Sequence, residues 1–227
     1  GELSIASADA SFRRYFRLKH KGKSYIVMDA PPDMEPSLPF VQIGEWMKES
    51  GINVPQIHQY DLDLGFMVLS DFGDFHFQDA LENKDRKSLY NLATSEIVNF
   101  QSILLNSEDK PPTFCPKWQK KELDIFREWC LPELPEIEYR EITSVLVNAI
   151  DQIPKAFMHR DFHCRNILLC KKEELGVIDF QGSMHGPVTY DLVSLLRDCY
   201  VDNDEDWIMQ TTLQFQDSLL SSNLEYA

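Results

Sequence analysis

The spacing of apolar positions changes partway along the chain. Up to residue 70 they fall in short blocks separated by turn residues. Arg14 to Leu18 and Ser24 to Asp29 read as strands, joined by the turn His20-Lys21-Gly22-Lys23. From about Ser37 to Ser50 the spacing becomes helical, with Phe40, Ile43 and Met47 on one face and Gly51 placed to end the helix. Gln56 to Tyr60 and Gly65 to Leu69 read as two further strands. Ser70-Asp71-Phe72-Gly73-Asp74 then breaks the pattern as a linker. Beyond it the chain is mostly helical. Leu89, Leu92, Ala93, Phe100, Ile103 and Leu104 recur at helical spacing, as do Ile142, Val145, Leu146 and Ile150. Leu192, Leu195, Leu196 and Cys199, then Ile208, Thr212, Phe215 and Leu219, repeat the theme. These stripes predict faces turned to a core. The expected architecture is α+β: a small β-rich lobe with one helix over 1–70, a hinge over 71–76, and a larger helical lobe over 77–227.

One stretch of the second lobe departs from the helical pattern. Asn166-Ile167-Leu168-Leu169 is apolar and strand-like, Cys170-Lys171-Lys172-Glu173-Glu174 is a polar turn, and Leu175-Gly176-Val177-Ile178 is apolar again. This predicts a short hairpin with Asn166 at its entrance and Asp179 at its exit. It follows His159-Arg160-Asp161-Phe162-His163-Cys164-Arg165 and leads into Asp179-Phe180. Alone, His159 and Asp161 read better as turn caps and Asp179 as a strand end. Together, the spacing of Asp161, Asn166 and Asp179 is the one used for phosphoryl transfer by proteins of kinase fold. Asp161 would face an attacking hydroxyl, and Asn166 and Asp179 would hold Mg2+ on ATP. Hard magnesium suits oxygen ligands, and phosphates and water complete its shell. ATP would lie in the cleft between the lobes of a two-lobed, protein-kinase-like fold.

Composition narrows the partners. The chain has 227 residues and a formal net charge of −15, which argues against nucleic acid and against an anionic membrane surface. No apolar run approaches the roughly 20 residues of a membrane helix, and no signal peptide is visible. Cys115, Cys130, Cys164, Cys170 and Cys199 are scattered and odd in number, which predicts reduced thiols in a cytoplasmic protein rather than disulfides or a zinc site. Cys164 reads as a small filler within the catalytic segment. The chain begins at Gly1 without an initiator Met, so a trimmed sequence is expected. Nothing in the residues speaks to oligomeric state.

Residues 7–17 occupy the place of a phosphate-covering loop. Ser7 and Ser11 are candidate hydrogen-bond donors to phosphate, and Arg13 and Arg14 candidate bidentate partners. There is no G-x-G-x-x-G, and a solvated basic strand edge is the alternative for either Arg. Asp71 in the linker joins them as a candidate nucleotide contact. A protein-kinase-like site would next have a lysine on the following strand. Here that strand reads Ser24-Tyr25-Ile26-Val27-Met28-Asp29-Ala30-Pro31-Pro32. The Arg pair is the expected substitute cation, and Glu45 on the helix is left an ordinary surface or hinge carboxylate.

His163, two places after Asp161, makes the segment resemble the aminoglycoside phosphotransferase and choline kinase superfamily, since protein kinases usually carry Lys there. Three further stretches, Asp9 to Arg17, Val27 to Pro32 and His185 to Asp198, make the chain similar from about residue 7 to 200 to bacterial anomeric kinases of N-acetylmuramate and N-acetylglucosamine in cell-wall recycling. The resemblance implies ATP-dependent phosphorylation of a sugar C1 hydroxyl. Asp161 would be the base, His163 a contact to the transferring group, and Asp191 either a brace for the catalytic loop or a plain N-cap. It also implies that Met-Asp in place of the lysine is a family trait, and that further helices follow Ala227. Relatives continue Asp-Phe-Gln with Asp-Ala, where this chain has Gly182-Ser183. Two alternatives stay open: a kinase of aminoglycosides, choline or homoserine, and a non-catalytic nucleotide-binding module.

Overall fold

The computed structural model describes residues 1–8, 12–103, 111–170, 174–222 and 224. β1 (Glu2–Ala8), β2 (Arg14–His20), β3 (Lys23–Asp29), β4 (Ile57–Asp61) and β5 (Phe66–Ser70) form one antiparallel sheet in the order β1-β2-β3-β5-β4. The β2–β3 turn has two central residues, Lys21 at φ 49° and Gly22 at φ 74°, closed by the pair His20 and Lys23. Both are left-handed, as the twist of a tight hairpin demands. α1 (Leu38–Glu49) lies between β3 and β4 in sequence and buries Phe40, Val41, Ile43, Gly44 and Met47. Gly51, at φ 86°, ends it: its amide donates to the Lys48 carbonyl at 3.0 Å, and the Ile52 amide to that of Met47 at 2.9 Å.

The second lobe holds α2 (Phe77–Asn83), α3 (Arg86–Gln101), α4 (Pro116–Cys130), α5 (Glu136–Asp151), α6 (Tyr190–Leu196) and α7 (Glu205–Ser221). Two small antiparallel sheets lie among them: β6 (Lys155–Met158) with β9 (Met184–Pro187), and β7 (Ile167–Leu169) with β8 (Leu175–Val177). α3 is the central helix, with Leu89, Tyr90, Ala93, Ile97 and Phe100 buried. Its N-terminus is capped by Asp85, which accepts from the Ser88 amide at 2.9 Å. The larger apolar core runs from Met28 and Met67 under the sheet, through Phe180, to Phe100 and Leu195, and Phe114, Met158 and Met184 form a smaller one. The contact between α1 and the Asp-Phe turn carries the larger core across: the Phe40 and Phe180 rings lie 4.7 Å apart. A Cβ on Gly44 would meet the Phe180 ring at 3.2 Å, so the missing side chain lets the helix come this close.

Some apolar stripes do not face a core. Ile142, Val145 and Leu146 of α5 are exposed, as is Leu92 of α3. α5 packs on α4 through Tyr139, which takes the Arg127 guanidinium over its ring at 4.4 Å, and the aliphatic row lies on another face. Leu104 falls outside the described residues. The four-residue strands β6 and β9 and the helices α2 and α4 are not among the elements the apolar spacing predicts.

Candidate functional site

β6 delivers the chain to His159, which is fully buried, stacked on Phe100 at 5.9 Å, and bonded through Nε2 to the Ile178 carbonyl at 3.1 Å. Burial pushes its pKa down to about 3, so the ring is neutral and donates from Nε2. It pins the loop to the exit of the hairpin. Asp191 in the first turn of α6 holds the same backbone. Its carboxylate accepts from the His159 amide at 2.8 Å and the Arg160 amide at 2.9 Å. Thr189, not Asp191, occupies the N-cap position. Burial pushes the Asp191 carboxyl up to about 7, against the pull of the two amides. Arg160 sits at φ 78°, a conformation that costs a non-glycine residue about 1–3 kcal/mol and persists where neighbours impose it. Asp198 completes the frame, accepting from the amides of Cys164 at 2.8 Å and Tyr200 at 2.9 Å. The buried Cys164 thiol is held protonated by burial and by Asp198, as a filler requires.

On this frame Asp161, Asn166 and Asp179 come together. The Asn166 amide nitrogen donates to the Asp161 carbonyl at 2.9 Å and approaches His163 Nε2 at 3.3 Å and Asp179 Oδ2 at 3.4 Å. The hairpin explains the meeting: Ile167 pairs with Val177, and the Ile178 amide donates to the Asn166 carbonyl at 3.0 Å. The turn residues 171–173 lie outside the described residues. Asp179 adopts φ 63°, ψ 35°, which swings the chain from β8 into the 3-10 turn Phe180–Gly182. Gln181 fixes its carboxylate by donating from Nε2 to Oδ1 at 2.6 Å. Asp161 is not among the residues lining the cavity between the lobes; it is exposed at the surface beside it, and partial desolvation raises its pKa, with Arg160 opposing and the nearby Asp179 charge adding to the rise. A Cβ at Gly182 would stand 3.9 Å from Asp161 Oδ2, so the departure from Asp-Ala leaves open space beside that carboxylate.

A cavity of about 490 Å3 lies between the sheet and this segment. Tyr15, Arg17, Ile26 and Leu69 line it from the sheet, Ser70 to Asp74 from the linker, and Arg165, Asn166, Asp179 and Phe180 from the second lobe. The sequence-predicted nucleotide residues are placed unevenly around it. Ser7 is in β1 opposite Tyr15, and Ser11 lies outside the described residues. Arg13 pairs with Glu35 at 2.7 Å and Arg14 with Asp29. Neither is among the lining residues, whereas Tyr15 and Arg17 are. Strand alternation turns Arg14 to the opposite face from Tyr15 and Arg17. Asp71 lines the cavity, but its carboxylate is engaged by Arg17 Nε at 2.7 Å and by the Gly73 amide at 2.9 Å. The Arg17 fork also reaches Asp74 at 2.7 Å, which raises the pKa of Arg17 further. Arg17 was legible only as part of a longer motif; its parity with Tyr15 was the usable signal.

Magnesium fits the donors present. With its amide nitrogen engaged, Asn166 keeps Oδ1, and the Asp179 carboxylate lies beside it. Among the described residues, no group of three or more His, Cys, Asp or Glu side chains is arranged to hold a metal alone. That suits an ion that takes one or two side chains and fills its shell with phosphate and water.

On the other side of Asp161, Arg160 Nη2 bonds Glu122 of α4 at 2.6 Å, and Arg160 Nη1 the Gly182 carbonyl at 3.2 Å. Tyr190 donates to Glu122 at 3.1 Å. Glu122 carried no signal in the sequence, because only folding brings α4 to the loop.

A β-sheet lobe and a helical lobe, with Asn166 and Asp179 lining the cavity between them and the Asp161 loop bonded to Asn166, have the plan of a kinase fold. Residues 2–217 match the phosphotransferase enzyme family APH, and the chain belongs to it. It is 36% identical over 208 residues to the N-acetylmuramate/N-acetylglucosamine kinase of Pseudomonas aeruginosa, covering 88% of this chain and 61% of that relative. The chain thus spans 61% of the relative's length. Among solved structures it is similar to the Plasmodium vivax ethanolamine kinase, with a TM-score of 0.74 at 14% identity, covering 98% of this chain and 68% of the other. It is also similar to the ADP-bound aminoglycoside phosphotransferase APH(2'')-Ib, with a TM-score of 0.69 at 18% identity, covering 98% and 79%. At these identities the likeness shows the fold. No helix among the described residues is long and apolar enough to cross a membrane.

Proposed function

We propose that this chain carries the ATP site and catalytic loop of a cytoplasmic kinase that phosphorylates the anomeric C1 hydroxyl of an N-acetylated amino sugar, N-acetylmuramate or N-acetylglucosamine. The observation that carries the proposal is the Asn166 side chain, which donates to the Asp161 main-chain carbonyl and approaches the Asp179 carboxylate. The name of the 36% identical relative supports the sugar.

Asp161 takes the C1 hydroxyl proton as the oxygen attacks the terminal phosphorus and ADP leaves. The ring oxygen makes an anomeric hydroxyl more acidic than an ordinary alcohol, so a carboxylate suffices as base. Partial desolvation, which raises the Asp161 pKa, strengthens it. Asn166 and Asp179, the latter oriented by Gln181, would hold a magnesium ion bound with ATP, which would supply charge to offset that on the phosphoryl oxygens. His163, whose Nε2 lies 3.3 Å from the Asn166 amide, would contact the transferring group. Residues 71–76 act as the hinge, tied to β2 by the Arg17 fork. The product, a sugar 1-phosphate, suits nucleotidyl transfer in cell-wall recycling.

The test is an acceptor panel incubated with the full-length protein, ATP and magnesium, with the phosphate position read by NMR. Phosphate on C1 of an N-acetylhexosamine is expected. Transfer only to aminoglycosides, choline or homoserine, or nucleotide binding without transfer, refutes the proposal.

A further inference from the structure

α4 places Trp118, Lys121 and Glu122 within one turn, at the i, i+3, i+4 spacing that shares a face. The bond from Glu122 to Arg160 sets that face beside the loop carrying Asp161. Trp118 is the pivot of a cationic group. Lys121 Nζ lies 4.7 Å and the Arg160 guanidinium 5.9 Å from its ring, as cation–π attraction favours. Lys117 and Lys120 line the same depression. Lys120 is neutralised by Asp124 at 2.7 Å. Among the described residues, neither Lys117 nor Lys121 has a carboxylate partner. On a chain of net charge −15, two exposed lysines without acidic partners, next to the loop carrying the base, form a local basic island. A cationic acceptor would be repelled there.

We infer that this face is the acceptor subsite, and that Lys117 and Lys121 select an amino sugar bearing a carboxylate over its neutral counterpart. With C1 at Asp161, the Arg160–Glu122 pair meets the ring hydroxyls and Trp118 holds Lys121 toward the acid substituent. The inference rests on the sugar-kinase reading and adds the residues that set its preference.

The test compares kcat/KM for N-acetylmuramate and N-acetylglucosamine in full-length wild type, in Lys117→Ala/Lys121→Ala and in Lys121→Glu. Losing charge-assisted hydrogen bonds costs about tenfold or more. The ratio of the two kcat/KM values is therefore expected to fall about tenfold in the double variant, and further in Lys121→Glu. The wild-type preference should also weaken as salt is raised, since the lysines are exposed. A ratio unchanged in both variants, or a wild type that favours the neutral sugar, overturns the inference and leaves the sugar-kinase reading intact. A wild type that phosphorylates neither sugar overturns both.

Discussion

Replacing Asp191 with alanine takes one acceptor group away from two backbone amides at once. Asp191 is 2% exposed and His159 0%, so water cannot readily replace the bonds of 2.8 and 2.9 Å that the carboxylate accepts. A stranded buried donor costs about 1–3 kcal/mol, so the pair predicts a loss of about 2–6 kcal/mol. That is a large share of the roughly 5–15 kcal/mol that holds a typical domain folded. Arg160 would also lose what keeps it at φ 78°, and relaxation there displaces Asp161. A misplacement of about 1 Å costs on the order of 10²-fold in rate. Asp191→Asn keeps one acceptor oxygen but turns an NH2 toward the other amide, so about half the stability loss is expected. Urea unfolding reports the stability, as a lower midpoint at unchanged slope, and kcat reports the loop geometry. The native carboxyl also makes stability depend on pH. Its pKa is raised to about 7, so the proton-linked part of its stabilisation is fully present below about pH 4 and is lost as pH rises through about 7, while the two amide bonds remain. An alanine variant within about 0.5 kcal/mol of wild type, with kcat within about twofold, would refute the brace.

The raised pKa of Asp161 makes two opposite demands. Because the base works ionised, the acidic limb of kcat/KM is expected above the roughly 3.9 of an ordinary aspartate, and a limb at or below that value contradicts the desolvated base. Stability has the reverse sign, since a raised pKa means support lost as pH rises through it, so Asp161→Asn should melt higher than wild type at pH 7 but not at pH 3. Gly65→Ala is expected to destabilise by about 1–3 kcal/mol or more. Gly65 sits at φ 74° and an added Cβ would lie 2.0 Å from the Ala30 carbonyl oxygen, so thermal unfolding at wild-type temperature would contradict that geometry.

What the sequence revealed and what it withheld divide along physical lines. Local periodicity carried the β2–β3 hairpin, α1 with its glycine stop, and the hairpin from Asn166 to Asp179, because neighbouring residues decide those elements. It also carried the triplet Asp161, Asn166 and Asp179, whose spacing along the chain is bridged by seventeen residues or fewer of loop and hairpin. Contacts between distant segments were silent. Glu122 reaches Arg160 across 38 positions, Arg17 reaches Asp71 across 54, and neither pair leaves a mark on local pattern. Charge alone singles out Arg13 and Arg14, yet in the fold these two pair with Glu35 and Asp29 while Arg17 lines the cavity. The aliphatic row of α5 misled because periodicity shows that a helix has an apolar face, not what that face meets.

The most direct measurement is on Asp161→Asn, with kcat for sugar phosphorylation and the affinity for ATP read from the same preparation. A positioned base contributes about 10²–10⁴ in rate, so turnover should fall by that factor while ATP binding stays within about twofold. A variant that turns over like wild type would remove Asp161 from proton transfer, and with it the central claim for the cleft.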